Sequence, residues 1–212
     1  HLDDKILTSW NGLMISAFAR AYQVFGRMEF LRSAKRAATF VMQKMYSNGA
    51  LVRRFRDGEA RHEAHLDDYA FLTQGLLDLY EASFDVKWLT QALAITETQI
   101  EMFWDAKSGG FFDTSGKDSS VLIRMKEQYD GAEPTGSAIA AMNLLRLAQV
   151  TDRSEFKEMA KRTLLAFGEI VQKQPVVMPQ MVASYDFFIE QPRQIVIVGA
   201  SNDPAMKAIL DE

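Results

Sequence analysis

Apolar residues recur at helical spacing along most of the chain. The first run spans about Thr8 to Phe25 and stops at Gly26, a residue type that ends helices in the left-handed conformation. The second, about Met28 to Tyr46, carries a stripe of Phe30, Ala34, Ala37, Val41 and Met45, with Arg32, Lys35, Arg36 and Gln43 opposite. The third, about Asp67 to Phe84, is apolar nearly all round through Tyr69, Phe71, Leu72, Leu76, Leu77, Leu79 and Tyr80. The fourth, about Val86 to Trp104, is one-sided again (Leu89, Leu93, Thr96, Ile100, Phe103). A fifth begins near Pro134 and is small or apolar on most sides. The sixth, about Ser154 to Lys173, has one apolar stripe, and a shorter seventh follows Pro179.

The alternation predicts layers. Helices one, three and five are buried on several sides; two, four and six keep a wet face. Three hairpins therefore repeat at roughly 60 residues. Tyr22–Gly26, Tyr80–Asp85 and Arg146–Asp152 fall at corresponding places. The fold class is all-α: repeated helical hairpins with an inner and an outer layer and short β excursions at one rim. Those excursions are Ala50–Ala60, with a turn at Arg56-Asp57-Gly58, an extended piece at Phe111–Asp113, and a short strand at Val121–Met125. A solenoid of short helical repeats is the rival, but its units are about 34–47 residues and lack strands. Beyond residue 191 the pattern changes. Gln194–Val198 reads as a strand, Gly199–Asp203 as a turn, and a helix opens at Pro204. The chain thus divides into a helical-hairpin domain, 1–191, and the start of a truncated α/β segment, 192–212. The latter lacks the three-glycine dinucleotide fingerprint. The chain opens on His1-Leu2-Asp3-Asp4 and closes on Asp211-Glu212 inside a helical pattern, which reads as a fragment.

Composition narrows the function classes. The chain is 48% hydrophobic with a net charge of -4, which argues against nucleic acid or an anionic membrane as partner. No run approaches the roughly 18 apolar residues of a membrane span. Without cysteine there is no disulfide scaffold or thiolate metal site, and the reading is cytoplasmic. No cofactor or metal is expected.

Polar clusters stand at the starts of the three buried helices: Asp3-Asp4-Lys5 with Trp10-Asn11-Gly12, then His62 to Tyr69, then Asp130 to Pro134. A layered array brings these starts to one rim, where helix dipoles favour carboxylates. His65 is the candidate proton carrier, with Asp67 and Asp68 able to orient it and raise its pKa. Glu133 is a second acid/base. Asp4, Asn11 and Asp130 are candidate hydroxyl ligands, and Trp10 and Tyr69 candidate stacking platforms. Each has a plainer alternative: helix caps for the acids, core packing for the aromatics. Arg53, Arg54 and Arg56 either reach over the rim or lie in a solvated loop. His62 and His65 could share a metal only with a third ligand.

At these residues the chain resembles a known family. His1–Met14, His65–Phe71, Asp130–Ser137 and Pro192–Gly199 are similar, in order, to signatures of the spermatogenesis-associated protein 20 family, whose bacterial members are called YyaL-like. Ser137 departs from the pattern, where asparagine is expected. The resemblance implies a thioredoxin-like domain in the same full-length chain, followed by an (α/α)6 toroid of which this chain is a part. Such toroids are similar to N-acylglucosamine 2-epimerases, cellobiose epimerases and six-hairpin glycosidases. The expected function is therefore carbohydrate processing of the epimerase or isomerase type on a sugar-like small molecule. A non-catalytic binding toroid and a two-carboxylate glycoside hydrolase are the alternatives.

Overall fold

The computed structural model describes residues 3–117 and 121–190, together with Ile209. The strand-turn-helix expected at 192–212 lies outside the described residues. In chain order the elements are β1 (Ile6–Leu7), α1 (Thr8–Phe25), α2 (Met28–Lys44), β2 (Tyr46–Ser47), β3 (Ala50–Arg56), β4 (Glu59–Glu63), α3 (Leu66–Ser83), α4 (Val86–Phe103), α5 (Gly136–Thr151), α6 (Ser154–Lys173), a 3-10 turn (Pro175–Val177) and α7 (Pro179–Glu190). The inner row α1, α3, α5 packs side by side. Each inner helix is backed by its own outer partner, α2, α4 or α6, and α7 packs against α5 and α6.

The repeat is visible in the backbone. Each inner helix ends on a left-handed residue, Gly26 (φ 67°), Phe84 (φ 52°) and Asp152 (φ 56°), one residue before the cap of the outer helix. The Gly26 and Phe84 N–H groups close the turn on Tyr22 and Tyr80 carbonyls at 2.8 and 2.7 Å. Only the first junction uses the residue that tolerates this conformation without cost.

The inner row is close-packed by glycine and pinned by polar cross-links. A Cβ on Gly12 would stand 2.5 Å from the Leu72 nitrogen, and one on Gly75 2.6 Å from the Gly12 carbonyl oxygen. Toward the helix C-termini, buried Asp78 accepts from Ser16 Oγ (2.5 Å), Arg20 (2.8 Å) and Arg146 (2.6 Å). Arg20 and Arg146 also pair with Glu81, so two cations balance two anions across α1, α3 and α5.

β3 and β4 form an antiparallel hairpin around Asp57-Gly58, both at positive φ, and β1 and β2 pair with β3. Tyr46 therefore belongs to a strand rather than to the end of the second helix. The strand expected at Val121–Met125 does not form. This stretch is an irregular loop, joined to the Phe111–Asp113 segment by one backbone bond, Asp113 N–H to the Met125 carbonyl at 2.9 Å. α5 starts at Gly136 with Thr135 as its cap, so Pro134 stands just before the cap.

Candidate functional site

The starts of α3 and α5, the β3–β4 hairpin and the loop before α5 enclose a cavity of about 400 Å³. Arg53, His65, Asp67, Asp113, Glu127 and Glu133 line it, with Gly131 and Gly136 in its wall. Its floor is set by a close approach. A Cβ on Gly136 would stand 2.8 Å from Leu66 Cγ, so the first turns of α3 and α5 nearly touch.

Asp68 organises this region. It is fully buried. One oxygen accepts from the Ser9 N–H (3.0 Å), and the other accepts from the His65 N–H (2.9 Å) and Arg53 (3.0 Å). It therefore ties α1, the cap of α3 and β3 to one carboxylate, and it touches no solvent through which a ligand could approach. Arg53 also bonds Asp67 at 3.1 Å, leaving Asp67 partly exposed at the cavity wall. Of the alternatives for Arg53, the rim is the one realised.

Proton affinities in the cavity converge. Burial, and then the Arg53 guanidinium, lower the pKa of His65 below its usual 6.5. The expectation that the acidic pair raises it is thus corrected: Arg53 engages both carboxylates and stands beside the imidazole. Burial pushes Asp113 up to about 6, with the charges of Glu127 and Asp67 adding to the shift. Burial, then Asp67 and Glu133, raise Glu127 as well. Asp113 is placed by its backbone, whose carbonyl accepts from the Leu66 N–H (3.1 Å), and its Oδ1 accepts from the Glu127 N–H (3.3 Å). The sequence reading missed Asp113 and Glu127. Asp113 follows two phenylalanines in an extended piece, which was the one available hint.

The cavity brings together His65, Asp67 and Glu133 of the expected residues. It excludes others. Tyr69 has no exposed surface; its hydroxyl accepts from the Leu51 N–H (3.0 Å) and its ring packs on Phe103, so it is core and not a platform. Trp10 is 60% exposed but does not line the cavity. Asn11 donates to the Leu7 carbonyl (2.8 Å) of its own helix start, and Asp4 pairs with Arg56 at 2.8 Å. Asp130 gives one oxygen to the Thr135 N–H (2.7 Å) and the other to the Gln180 N–H (2.9 Å), capping the approach to α5 and the start of α7. Ser137, at the position of the expected asparagine, donates to the Phe111 carbonyl at 3.2 Å. Among the described residues no three His, Asp or Glu side chains are grouped to hold a metal ion, and no helix is long and apolar enough to cross a membrane.

No family model matches the chain. Human spermatogenesis-associated protein 20 is 36% identical over 221 aligned residues, and the rat protein 37%, each match covering 99% of this chain. Over its whole length this segment is homologous to spermatogenesis-associated protein 20. An uncharacterised protein of Caenorhabditis elegans is 33% identical over 94% of the chain. The chain spans 28% of the length of each of these relatives. Solved structures with this fold include an α-mannanase of glycoside hydrolase family 76 from Bacteroides thetaiotaomicron (TM-score 0.69, 16% identity, 92% of this chain and 55% of that one). A cellobiose 2-epimerase from Spirochaeta thermophila also matches (TM-score 0.61, 16% identity, 77% and 43%). A third is an inactive α-1,6-mannanase variant from Salegentibacter, with two aspartates replaced, in complex with α-1,6-mannotriose (TM-score 0.62, 14% identity, 76% and 46%). This chain therefore has the fold of the (α/α)6 toroids.

Proposed function

We propose that this rim of the toroid performs proton-transfer chemistry on a sugar-like small molecule, in the manner of an epimerase or isomerase. One observation carries the reading. A single cavity holds an imidazole pushed toward its neutral, basic form and two carboxyls pushed toward their protonated, acidic form. Groups whose environments bring their proton affinities toward neutrality can take and give protons at similar pH, which general acid–base catalysis requires.

His65 takes a proton from the carbon beside the carbonyl of an open-chain sugar, leaving an enediolate. Asp113 or Glu127 gives a proton to the carbonyl oxygen as negative charge develops there. For the epimer, the other of these two carboxyls gives a proton to the opposite face of the same carbon while the first takes back the proton on the oxygen, and exchange with solvent resets the groups. For the aldose–ketose isomer, His65 returns its proton to the neighbouring carbon while the carboxylate takes the proton of the adjacent hydroxyl. Asp67 and Glu133 accept hydrogen bonds from sugar hydroxyls, and Arg53 and Asp68 hold the site in register. The fold is shared with a cellobiose 2-epimerase, which is a supporting analogy.

The test uses the intact protein, incubated with a panel of aldoses, ketoses and disaccharides in heavy water and followed by NMR. Deuterium enters a sugar carbon, and His65→Gln abolishes the exchange. The absence of deuterium from every recovered sugar overturns the reading. Cleavage of a disaccharide without exchange transfers the site to glycoside hydrolysis. Binding without turnover makes it a sugar-binding module beside the expected thioredoxin-like domain.

A further inference from the structure

The part of the loop before α5 at 121–133 is inside out. Its cations point inward. Arg124 donates to the carbonyls of Thr114 (2.8 Å) and Met102 (2.9 Å), and its guanidinium lies 4.3 Å from the Phe112 ring centre. Lys126 pairs with Asp105 at 2.7 Å and is 16% exposed. The large apolar side chains of the same loop face solvent instead, and Tyr129 among them is 62% exposed.

The backbone on both sides of Tyr129 is tethered. The Glu127 N–H is bound to Asp113, the Asp130 N–H to the Val177 carbonyl (2.8 Å), and both Asp130 oxygens to backbone N–H groups. The Tyr129 ring rests on Gly131, 3.4 Å from where a Cβ would stand, and Gly131 lines the cavity. Glu127 and Glu133, on either side in sequence, line it too.

An exposed aromatic on a fixed backbone, next to carboxylates at a cavity mouth, matches the two faces of a pyranose. The ring covers C–H groups and the carboxylates accept from hydroxyls. We infer that Tyr129 and Gly131 form a second sugar-ring subsite at the mouth, and that it takes an uncharged ring of a disaccharide or longer chain whose reacting ring sits in the cavity. This rests on the reading of the cavity as a sugar site. The uncharged class follows from the lining: Arg53 is already paired with Asp67 and Asp68, whereas Asp67 and Glu133 repel phosphate.

The experiment measures binding to the intact protein by isothermal titration, with glucose, mannose, cellobiose, mannobiose and glucose 6-phosphate as probes. Tyr129→Ala weakens a disaccharide about tenfold and a monosaccharide less than about twofold, and Tyr129→Phe restores disaccharide binding. The melting temperature stays that of the wild type, because the side chain is exposed. Unchanged disaccharide binding in Tyr129→Ala overturns the subsite and leaves the proposed chemistry standing. So does equal loss for both sugar sizes, which would make Tyr129 part of the main cavity. Preferred binding of the phosphate overturns the uncharged class. No binding of any sugar, together with no deuterium exchange, removes the reading of the cavity itself.

Discussion

Replacing Gly12 by alanine tests the inner row where it is tightest. The added methyl would stand 2.5 Å from the Leu72 nitrogen and the Phe71 carbonyl carbon, both main-chain atoms of α3. A backbone cannot swing aside as a flexible side chain does, so α1 and α3 must separate by roughly 1 Å to restore ordinary contact. Overpacking of this kind costs about 1–3 kcal/mol. The same separation lengthens the 3.0 Å bond from the Ser9 N–H to Asp68, one turn away, which adds about 1.5–3 kcal/mol for a lost bond to a charged group. Better helix propensity returns about 1 kcal/mol. The net expectation is a loss of about 1.5–5 kcal/mol, or about 3–20 °C in melting temperature for a chain of this size. Thermal and urea unfolding followed by circular dichroism measure it. A melting temperature that is unchanged within about 1 °C, or that rises as for alanine in an ordinary helix, refutes the close crossing.

Phe84→Gly should stabilise the protein by about 0.5–1 kcal/mol, because it relieves a left-handed non-glycine residue whose side chain is already 60% exposed. A urea midpoint that falls would show that the Phe84 ring contributes more than its conformation costs. Arg53→Met should destabilise by about 3–5 kcal/mol near pH 8, since it leaves the Asp68 carboxylate buried without its cation. Burial and Asp67 push Asp68 from 3.8 to about 7. With the folded value above the unfolded one, ionisation weakens the fold as pH rises and protonation relieves it as pH falls. The deficit should therefore shrink near pH 5, and a pH-independent deficit in urea unfolding would assign Arg53 a packing role instead.

The helices were legible because their signals are local. Apolar spacing and the Gly26 stop placed α1, and α6 begins and ends where its stripe does. Tyr69 was misplaced for a related reason. A helix that is apolar all round does not reveal which side faces a neighbour, and Tyr69 meets Phe103 of α4. The Val121–Met125 stretch has the composition of a strand, but Arg124 and Lys126 find partners at 102, 105 and 114, which no local pattern encodes. The site was half legible. His65, Asp67 and Glu133 sit at helix starts, where sequence marks them. Asp113 and Glu127 depend on a backbone bond between Leu66 and Asp113, 47 positions apart in a sequence read without contacts. Asp130 and Asn11 were assigned to ligands because the main-chain groups they bond have no signature of their own.

Apart from His65 and Asp67 at the start of α3, the site's charged side chains come from outside the helices. Arg53 arrives on a hairpin inserted between α2 and α3, and Asp113, Glu127, Tyr129 and Glu133 arrive on the insert between α4 and α5. The helical array meanwhile keeps its own glycine contacts and its own charge network at Asp78. Exchange of these two inserts would change what the rim recognises, provided the new hairpin keeps a cation against Asp68 and the new loop keeps the bond to the Leu66 N–H. They are the units to graft when reactivity is to be moved between toroids, and the units in which relatives of equal fold can diverge in chemistry.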